Sequence, residues 1–286
     1  MISDITLGQF FPGVSFLHRL DPRTKIISSI FYIAAVFVAN NAVSFLLLLL
    51  ATLSLIALSR IALSTVLRGV KPLIIILIFT AVLNVFLTKG TGEPLFSFWV
   101  ITVYTEGIIR AVFMALRVTL LIMGTSVILT YTTSPIALTD GLEALLSPLK
   151  RLKVPVHVFA MMMSIALRFI PTLVEETEKI MNAQKSRGAD FESGGLVKRA
   201  KALIPLLIPL FVSSFSRAEE LATAMECRCY RGDKNRTKLV KLTYRGADFI
   251  MMASQLLFLA VIIAISAFSG YLSGISRVFE ILFYTV

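Results

Sequence analysis

An apolar block from Ile26 to Ser59 constrains the fold of this chain more than any other feature. At about 1.5 Å per residue, a single helix over this block would be roughly 50 Å long, whereas the hydrocarbon core of a bilayer is about 30 Å thick. The pair Asn40-Asn41 breaks the block near its middle. We therefore predict two short membrane spans that turn at the asparagines.

Three further apolar runs have the length of a membrane span. One follows Lys71-Pro72 and ends near Leu87, one covers about Gly107 to Thr130, and one begins at Phe249, reaches about Phe268 and leaves a semi-apolar tail. Hydrophobic residues make up 57% of the 286, and the mean hydropathy is +0.85. Both values are typical of membrane proteins. We predict an all-α integral membrane protein with five or six transmembrane helices.

The basic residues indicate which ends of the spans face the cytoplasm. Of the 28 Lys and Arg, 24 fall within the first 25 residues, the loop 60–71 and residues 132–248. Four spans before residue 132 place these regions on one side of the membrane, with Lys89 and Arg277 on the other. The positive-inside rule assigns the first side to the cytoplasm. The excess of basic residues over the 17 acidic ones thus indicates orientation, and we expect no nucleic-acid partner.

The region after the fourth span has helical patterns of its own. They run from Pro135 to about Pro148, from near Pro155 to Arg187, and from after Gly195 to near Arg228. We predict a cytoplasmic helical domain with two long crossing helices. The expected domains are a four-span membrane region, this cytoplasmic domain, and a C-terminal span with its tail, over residues 1–131, 132–248 and 249–286.

A second topology stays open for the two long helices. Residues 156–174 and 202–215 are apolar enough to form a membrane hairpin, which would leave the direction of the last span unchanged. The hairpin would place six Lys and Arg residues outside and would bring His157 and Arg168 into or near the membrane core, where charge is costly. We therefore favour the cytoplasmic arrangement. A reporter at Ser193, between the helices, distinguishes the two.

The sequence offers little for catalysis or metal binding. No glycine precedes a lysine, so the chain lacks the GxxxxGK(S/T) phosphate loop of ATPases. His18 and His157 are the only histidines. The only cysteines, Cys227 and Cys229, suit neither a disulfide nor a metal site at that spacing on a helix. We predict a chain that is not an enzyme and has no cofactor or metal.

Both long helical patterns end with a lone arginine between small residues. The two triplets are Ser186-Arg187-Gly188 and Cys227-Arg228-Cys229. Small neighbours let an arginine enter a groove on another protein, and its guanidinium binds carboxylates with two parallel hydrogen bonds. The triplets therefore predict a two-pronged docking device.

The pentapeptide that begins at Arg187 occurs a second time. Residues 245–249 repeat residues 187–191 letter for letter, as Arg-Gly-Ala-Asp-Phe. The second copy lies at the mouth of the last span, where an arginine is suited to contact lipid phosphate. We predict that Arg245 anchors the span and takes no part in docking.

Together these segments resemble the transmembrane T component of energy-coupling factor (ECF) transporters, the EcfT/CbiQ-like family. The resemblance covers nearly the whole chain and includes the opening motif His18-Arg19-Leu20-Asp21-Pro22-Arg23-Thr24-Lys25, the segment at 132–135 and the segment at 166–176. The family's signature triplets read Ala-Arg-Gly or Ala-Arg-Ser. The triplets at Arg187 and Arg228 depart from that pattern but keep the arginine and small neighbours.

The resemblance implies a complex of four proteins in a prokaryotic cell membrane. Two cytosolic ABC ATPase subunits, which bind the ATP, would receive Arg187 and Arg228 in their grooves. A membrane S component would bind a vitamin or metal and reorient when the ATPases close. The alternatives are a conventional ABC permease, which would carry a Glu-Ala-Ala coupling loop, and a secondary transporter, which would show paired halves and intramembrane carboxylates. The sequence shows neither pattern.

Two further arginines are candidates for a structural role or for contact with the S component. Arg117 lies in the fourth span, roughly 10 Å along the helix from Arg110 and so too deep to reach the surface easily. Arg168 lies in the segment at 166–176, which resembles the family. We expect Arg117 to make buried hydrogen bonds or to contact the S component.

Overall fold

A computed structural model gives the structure of residues 10–88, 96–98, 101–191, 195–230, 232 and 242–284; Lys89 and Ser193 lie outside the described residues. The described helices are α1 (Pro22–Val38), α2 (Ala42–Ser59), α3 (Leu63–Val70), α4 (Ile74–Leu87), α5 (Thr105–Thr125), α6 (Pro135–Leu146), α7 (Val156–Ser186), α8 (Leu196–Cys227) and α9 (Gly246–Tyr284). Two three-residue strands, β1 (Phe96–Phe98) and β2 (Ile101–Val103), pair antiparallel. Apart from this short hairpin the all-α prediction is confirmed.

Six described helical stretches are long and apolar enough to cross a membrane. They are α2, α3 continued by α4, α5 with the turn that follows it, α7, α8 and the first part of α9. The chain is thus a multi-pass membrane protein. Because α7 and α8 are among the six, the cytoplasmic position of these two helices stays a prediction.

The predicted break at the asparagines is confirmed. Helix α1 starts with Pro22 in its first turn, and the Asp21 carboxylate accepts the Arg23 N–H. It ends at Val38, and α2 starts at Ala42. At 17 and 18 residues, α1 and α2 are each roughly 26 Å long, so both are short for a bilayer core of about 30 Å.

Two elements differ from the sequence-based expectation. The loop expected over residues 60–71 contains α3, which follows a left-handed turn at Arg60 (φ 56°) that ends α2. Helix α9 continues past Phe268 to Tyr284, and no proline interrupts it. Its 39 residues make a helix of roughly 58 Å, longer than one span requires.

Contacts divide the chain into two units, one of residues 135–241 and one of residues 9–134 with 242–286. The second, which we call the membrane unit, is built around α1 and α5: α5 packs on α2, α3 and α4, and α1 packs on α5 and α9. Its largest fully buried side chains are Tyr32, Tyr131, Leu17, Leu48, Leu120, Ile128 and Ile262. Helix α5 ends in a π-helical turn, Ser126–Thr130.

Tyr32 ties three helices of the membrane unit together. Its hydroxyl lies 2.7 Å from Thr52 Oγ1 on α2 and donates to the Leu120 carbonyl of α5 at 2.9 Å. Gly124 makes this packing possible, because a Cβ there would lie 2.2 Å from ring carbons of Tyr32. The close approach of α1 and α5 therefore depends on the missing side chain.

We expect Gly124→Ala to lower the apparent melting temperature of the protein in detergent. The added methyl group must displace the buried Tyr32 ring, which costs about 1–3 kcal/mol in an overpacked core. Gly246→Ala is the matched control, since nothing lies within 4 Å of a Cβ built there. Equal melting temperatures for the two variants would contradict the packing at Gly124.

The other unit consists of α6, α7 and α8, with α7 packed on both neighbours. Near the start of α7, His157 Nδ1 lies 3.0 Å from Glu143 Oε1 of α6, and both side chains are buried. Further along, Ser213 on α8 donates to Glu176 Oε1 on α7 at 2.6 Å, and Arg217 donates to Glu176 Oε2. The two hydrogen bonds to Glu176 thus hold α7 against α8, about two-thirds of the way along α7 and just past the middle of α8.

Candidate coupling site

The first predicted docking arginine lies at the C-terminal cap of α7. After Arg187, the backbone at Gly188 turns left-handed (φ 86°), and its N–H donates to the Lys185 carbonyl at 3.0 Å. The N–H of Ala189 donates to the Gln184 carbonyl, also at 3.0 Å. This pair of bonds defines a Schellman motif, which satisfies carbonyls that the helix end leaves free.

The second predicted docking arginine occupies the same position on α8. Arg228 is the C-terminal cap, and Cys229 follows in the left-handed conformation (φ 57°). The Cys229 N–H donates to the Glu226 carbonyl at 2.8 Å, and the Tyr230 N–H donates to the Met225 carbonyl at 3.0 Å. Two helices of one unit therefore end in the same motif, each with an arginine at the cap.

The backbone gives the third residue of each triplet a role in ending its helix. The sequence predicts this role for Gly188, a natural helix stop, but predicts only a small side chain for Cys229. Both positions require a positive φ, which glycine adopts freely and other residues adopt at a cost of roughly 1–2 kcal/mol. Nothing lies within 4 Å of a Cβ built at Gly188, so within the described chain the backbone, not space, favours glycine there.

Both arginines and their triplet neighbours are exposed. Among the described residues, no hydrogen bond or ion pair engages the guanidinium of Arg187 or Arg228. Ser186 Oγ donates to the Asn182 carbonyl at 3.0 Å, and both cysteines are free thiols. Within the described part of the chain, no group of three or more His, Cys, Asp or Glu side chains could hold a metal ion. The two guanidinium groups are thus open to a partner.

Replacing both cysteines tests the backbone requirement. We expect the double variant Cys227→Ala, Cys229→Gly to keep its transport activity and to gain up to about 1 kcal/mol of stability, because glycine relieves the left-handed position. The matched control is Cys227→Ala with Cys229→Ala, which retains a Cβ and should show no gain. Uptake and melting temperature are measured for both. Loss of uptake in the glycine variant would show that the thiols themselves are needed.

The repeated pentapeptide lies at the opposite kind of helix end. Arg245 precedes α9, and its N–H donates to Asp248 Oδ2 at 2.7 Å, so here the same five letters begin a helix. Arg187, by contrast, ends one. The same five residues thus place Arg187 at the negative end of the α7 dipole and Arg245 at the positive end of the α9 dipole. The contact of Arg245 with lipid phosphate stays a prediction.

Arg117 makes the hydrogen bonds expected of a structural arginine. Its Nη2 donates to the Ala39 carbonyl at 2.6 Å and to Asn40 Oδ1 at 3.2 Å, and its guanidinium carbon lies 5.5 Å from the centre of the Phe45 ring. A cation at the carbonyl end of α1 is favourable because that end carries partial negative charge. Arg117 therefore fixes the turn between α1 and α2. Its contact with the S component, like that of the exposed Arg168, stays a prediction.

We expect Arg117→Leu to destabilise the membrane unit and to spare the predicted binding of ATPases. The variant loses two charge-assisted hydrogen bonds, each of which contributes about 1.5–3 kcal/mol. Arg110→Leu, an exposed position on the same helix, is the control and should melt like the unmodified protein. Thermal unfolding and ATPase pull-down measure the two effects. Loss of ATPase binding with an intact fold would contradict this layout.

Comparisons with known proteins agree on one family. Residues 13–239 match the family CbiQ, described as cobalt transport protein. The chain is 52% identical over 261 residues to the energy-coupling factor transporter transmembrane protein EcfT of Clostridium kluyveri, covering 91% of this chain and 96% of the relative. Proteins of the same name are 54% identical over 248 residues in Acidaminococcus fermentans (87% and 91% covered) and 47% identical over 267 residues in Bacillus subtilis (93% and 100% covered).

Proposed function

The chain belongs to the CbiQ family and is similar over most of its length to EcfT proteins, and we propose that it is the transmembrane energy-coupling subunit of an ECF-type ABC importer. In this role it links ATP hydrolysis by two cytosolic ATPase subunits to reorientation of a substrate-binding S component that takes up a vitamin or metal. The observation that carries the proposal is the matched pair of helix ends at Arg187 and Arg228.

The helix ends suit docking because both present a charge without a partner in the described chain. Arg187 and Arg228 occupy equivalent positions in two Schellman motifs, so the rigid backbone sets the base of each side chain in the same way. An acidic groove on each ATPase would accept one guanidinium. Two equivalent prongs fit two equivalent ATPase subunits. In the proposed complex ATP is bound by those partners, and we expect this chain to need no cofactor of its own.

The connection between α7 and α8 supports joint movement of the two prongs. Glu176 receives hydrogen bonds from Ser213 and Arg217 across the helix pair. A shift of one ATPase groove would therefore move both helices, which is what a transmitting element must do. The catalytic step belongs to the ATPases, and this chain is a non-catalytic subunit.

The outer face of α8 offers a surface for the membrane partner. Exposed apolar side chains recur at helical spacing along one stripe: Leu203, Ile204, Leu207, Ile208, Phe211, Val212 and Phe215. The opposite side of the helix carries Leu206, which is buried, and the polar contacts to α7. A helix with one packed face and one exposed apolar face suits a position at the membrane surface against an apolar partner. We assign this stripe to the S component.

Purification of the tagged chain from its native membrane tests the proposed function. We expect two ABC ATPase subunits and a small membrane protein to copurify with it in stoichiometric amounts. Vanadate or a nonhydrolysable ATP analogue should change the uptake of the complex and leave the composition of the complex intact. Recovery of the chain alone, or with a periplasmic or extracellular binding protein of a conventional ABC importer, would contradict the proposal.

A further inference from the structure

The first turn of α1, residues 21–25, holds the chain where it leaves the membrane unit for residues 135–241. Lys25 is only 2% exposed, and its Nζ donates to the Thr132 carbonyl at 2.7 Å and to the His18 carbonyl at 3.4 Å. Thr132 lies three residues before Pro135, where the other unit begins. It also follows the π-helical turn that ends α5, a local feature that is frequent at functional sites.

The same turn of α1 holds the chain where it returns. Asp248, 1% exposed, accepts the Asp21 N–H on Oδ1 at 2.8 Å and the Arg245 N–H on Oδ2 at 2.7 Å. Arg23 lies over the Tyr244 ring, with its guanidinium carbon 4.0 Å from the ring centre. Arg23 also donates to both carboxylate oxygens of Asp21, at 3.1 and 3.0 Å. The returning segment 244–248 is thus bound at two points.

Stability alone does not account for a lysine at position 25. Burying an ammonium group costs several kcal/mol, and the two backbone carbonyls together with the attraction of the Asp248 and Asp21 carboxylates offset that cost only in part. An apolar side chain of the same length would fill the space without the desolvation cost. A methionine, however, could not hold the Thr132 carbonyl. The charged group therefore provides a fixed attachment for the connection.

We propose that the first turn of α1 is the positioning element that anchors both connections to residues 135–241. Movement of residues 135–241 is then transmitted to the membrane unit and is not absorbed by flexible connections. Lys25 anchors the outgoing segment, and Asp21 and Arg23 anchor the returning one. All of these contacts lie within the membrane unit. The inference rests on the proposed coupling function, and it assigns a role in coupling to residues that are remote in sequence from the docking arginines.

The test compares Lys25→Met, Lys25→Arg and Lys71→Met in the complete transporter, reconstituted in liposomes with its ATPases and S component. The measured quantity is substrate taken up per ATP hydrolysed. We expect this ratio to fall roughly five- to tenfold in Lys25→Met, with the complex assembled and the ATPase active. Lys25→Arg, which keeps a cationic donor, should recover most of the ratio. Lys71→Met removes an exposed lysine of the same unit and should leave the ratio unchanged.

A second variant covers the case in which Lys25→Met does not fold. Tyr244 is 42% exposed, so Tyr244→Ala should fold, and removal of the ring under Arg23 should lower the same ratio by a smaller factor. An unchanged ratio in Tyr244→Ala and in any folded Lys25→Met overturns the inference, as does an equal fall in Lys71→Met. Failure of the proposed function looks different, because the unmodified chain would then assemble with no ATPase at all.

Discussion

Reversing the charge at either helix end, by Arg187→Glu or Arg228→Glu, should abolish ATP-driven uptake while the protein stays folded in the membrane. Both arginines are exposed caps of Schellman motifs, and their side chains make no hydrogen bond or ion pair to other described residues. A glutamate would face the acidic ATPase groove that we propose, where like charges at close range cost several kcal/mol. We expect uptake to fall at least about a hundredfold for each variant.

The repeated pentapeptide supplies a matched control for these substitutions. Arg245→Glu changes the same residue in the same five-letter sequence, but at the beginning of α9. A negative charge there is favourable for the helix dipole, so the variant should fold and transport. Uptake in proteoliposomes and ATPase pull-down measure the effect. Normal uptake in both Arg187→Glu and Arg228→Glu would remove these arginines from the site, and an equal loss in Arg245→Glu would show a general effect of charge.

The helices were predictable because their limits are written in local sequence. Pro135 starts a helix, Gly188 follows the end of one, and the asparagine pair separates two spans. Helix α3 is not predicted from the sequence because its eight residues, Leu63–Val70, are too few for a clear period, and the basic residues around it indicate a loop.

The candidate site was predictable only in part. The arginines and their small neighbours stand out in the sequence, but the positive φ at Cys229 does not, since cysteine is no signal for a left-handed residue. The anchoring role of Lys25 was also out of reach. Its partner is a backbone carbonyl 107 residues away, and a backbone carbonyl has no sequence signature. Periodicity identifies elements, whereas contacts between distant segments depend on the assembled fold.

The topology of α7 and α8 is the remaining question that hydropathy leaves open, because both helices are long and apolar enough to span a membrane. We expect a single cysteine at Gly195, in a chain with Cys227 and Cys229 replaced, to be protected from a membrane-impermeant thiol reagent in intact cells. It should be labelled once the membrane is opened. Gly195 is a good reporter position because it is exposed and nothing lies within 4 Å of a Cβ built there.

Two further single-cysteine variants serve as controls for the inner and the outer side of the membrane. Val14→Cys, 76% exposed and expected inside in either topology, should be protected in intact cells, whereas Thr105→Cys, exposed at the start of α5, should be labelled. A membrane hairpin of α7 and α8 predicts that Gly195→Cys behaves like Thr105→Cys. Because Arg187 lies only eight residues before Gly195, that outcome would also place this arginine outside the cell, where no cytosolic ATPase could bind it. We expect protection, since the hairpin would move six basic residues to the outer face against the positive-inside rule.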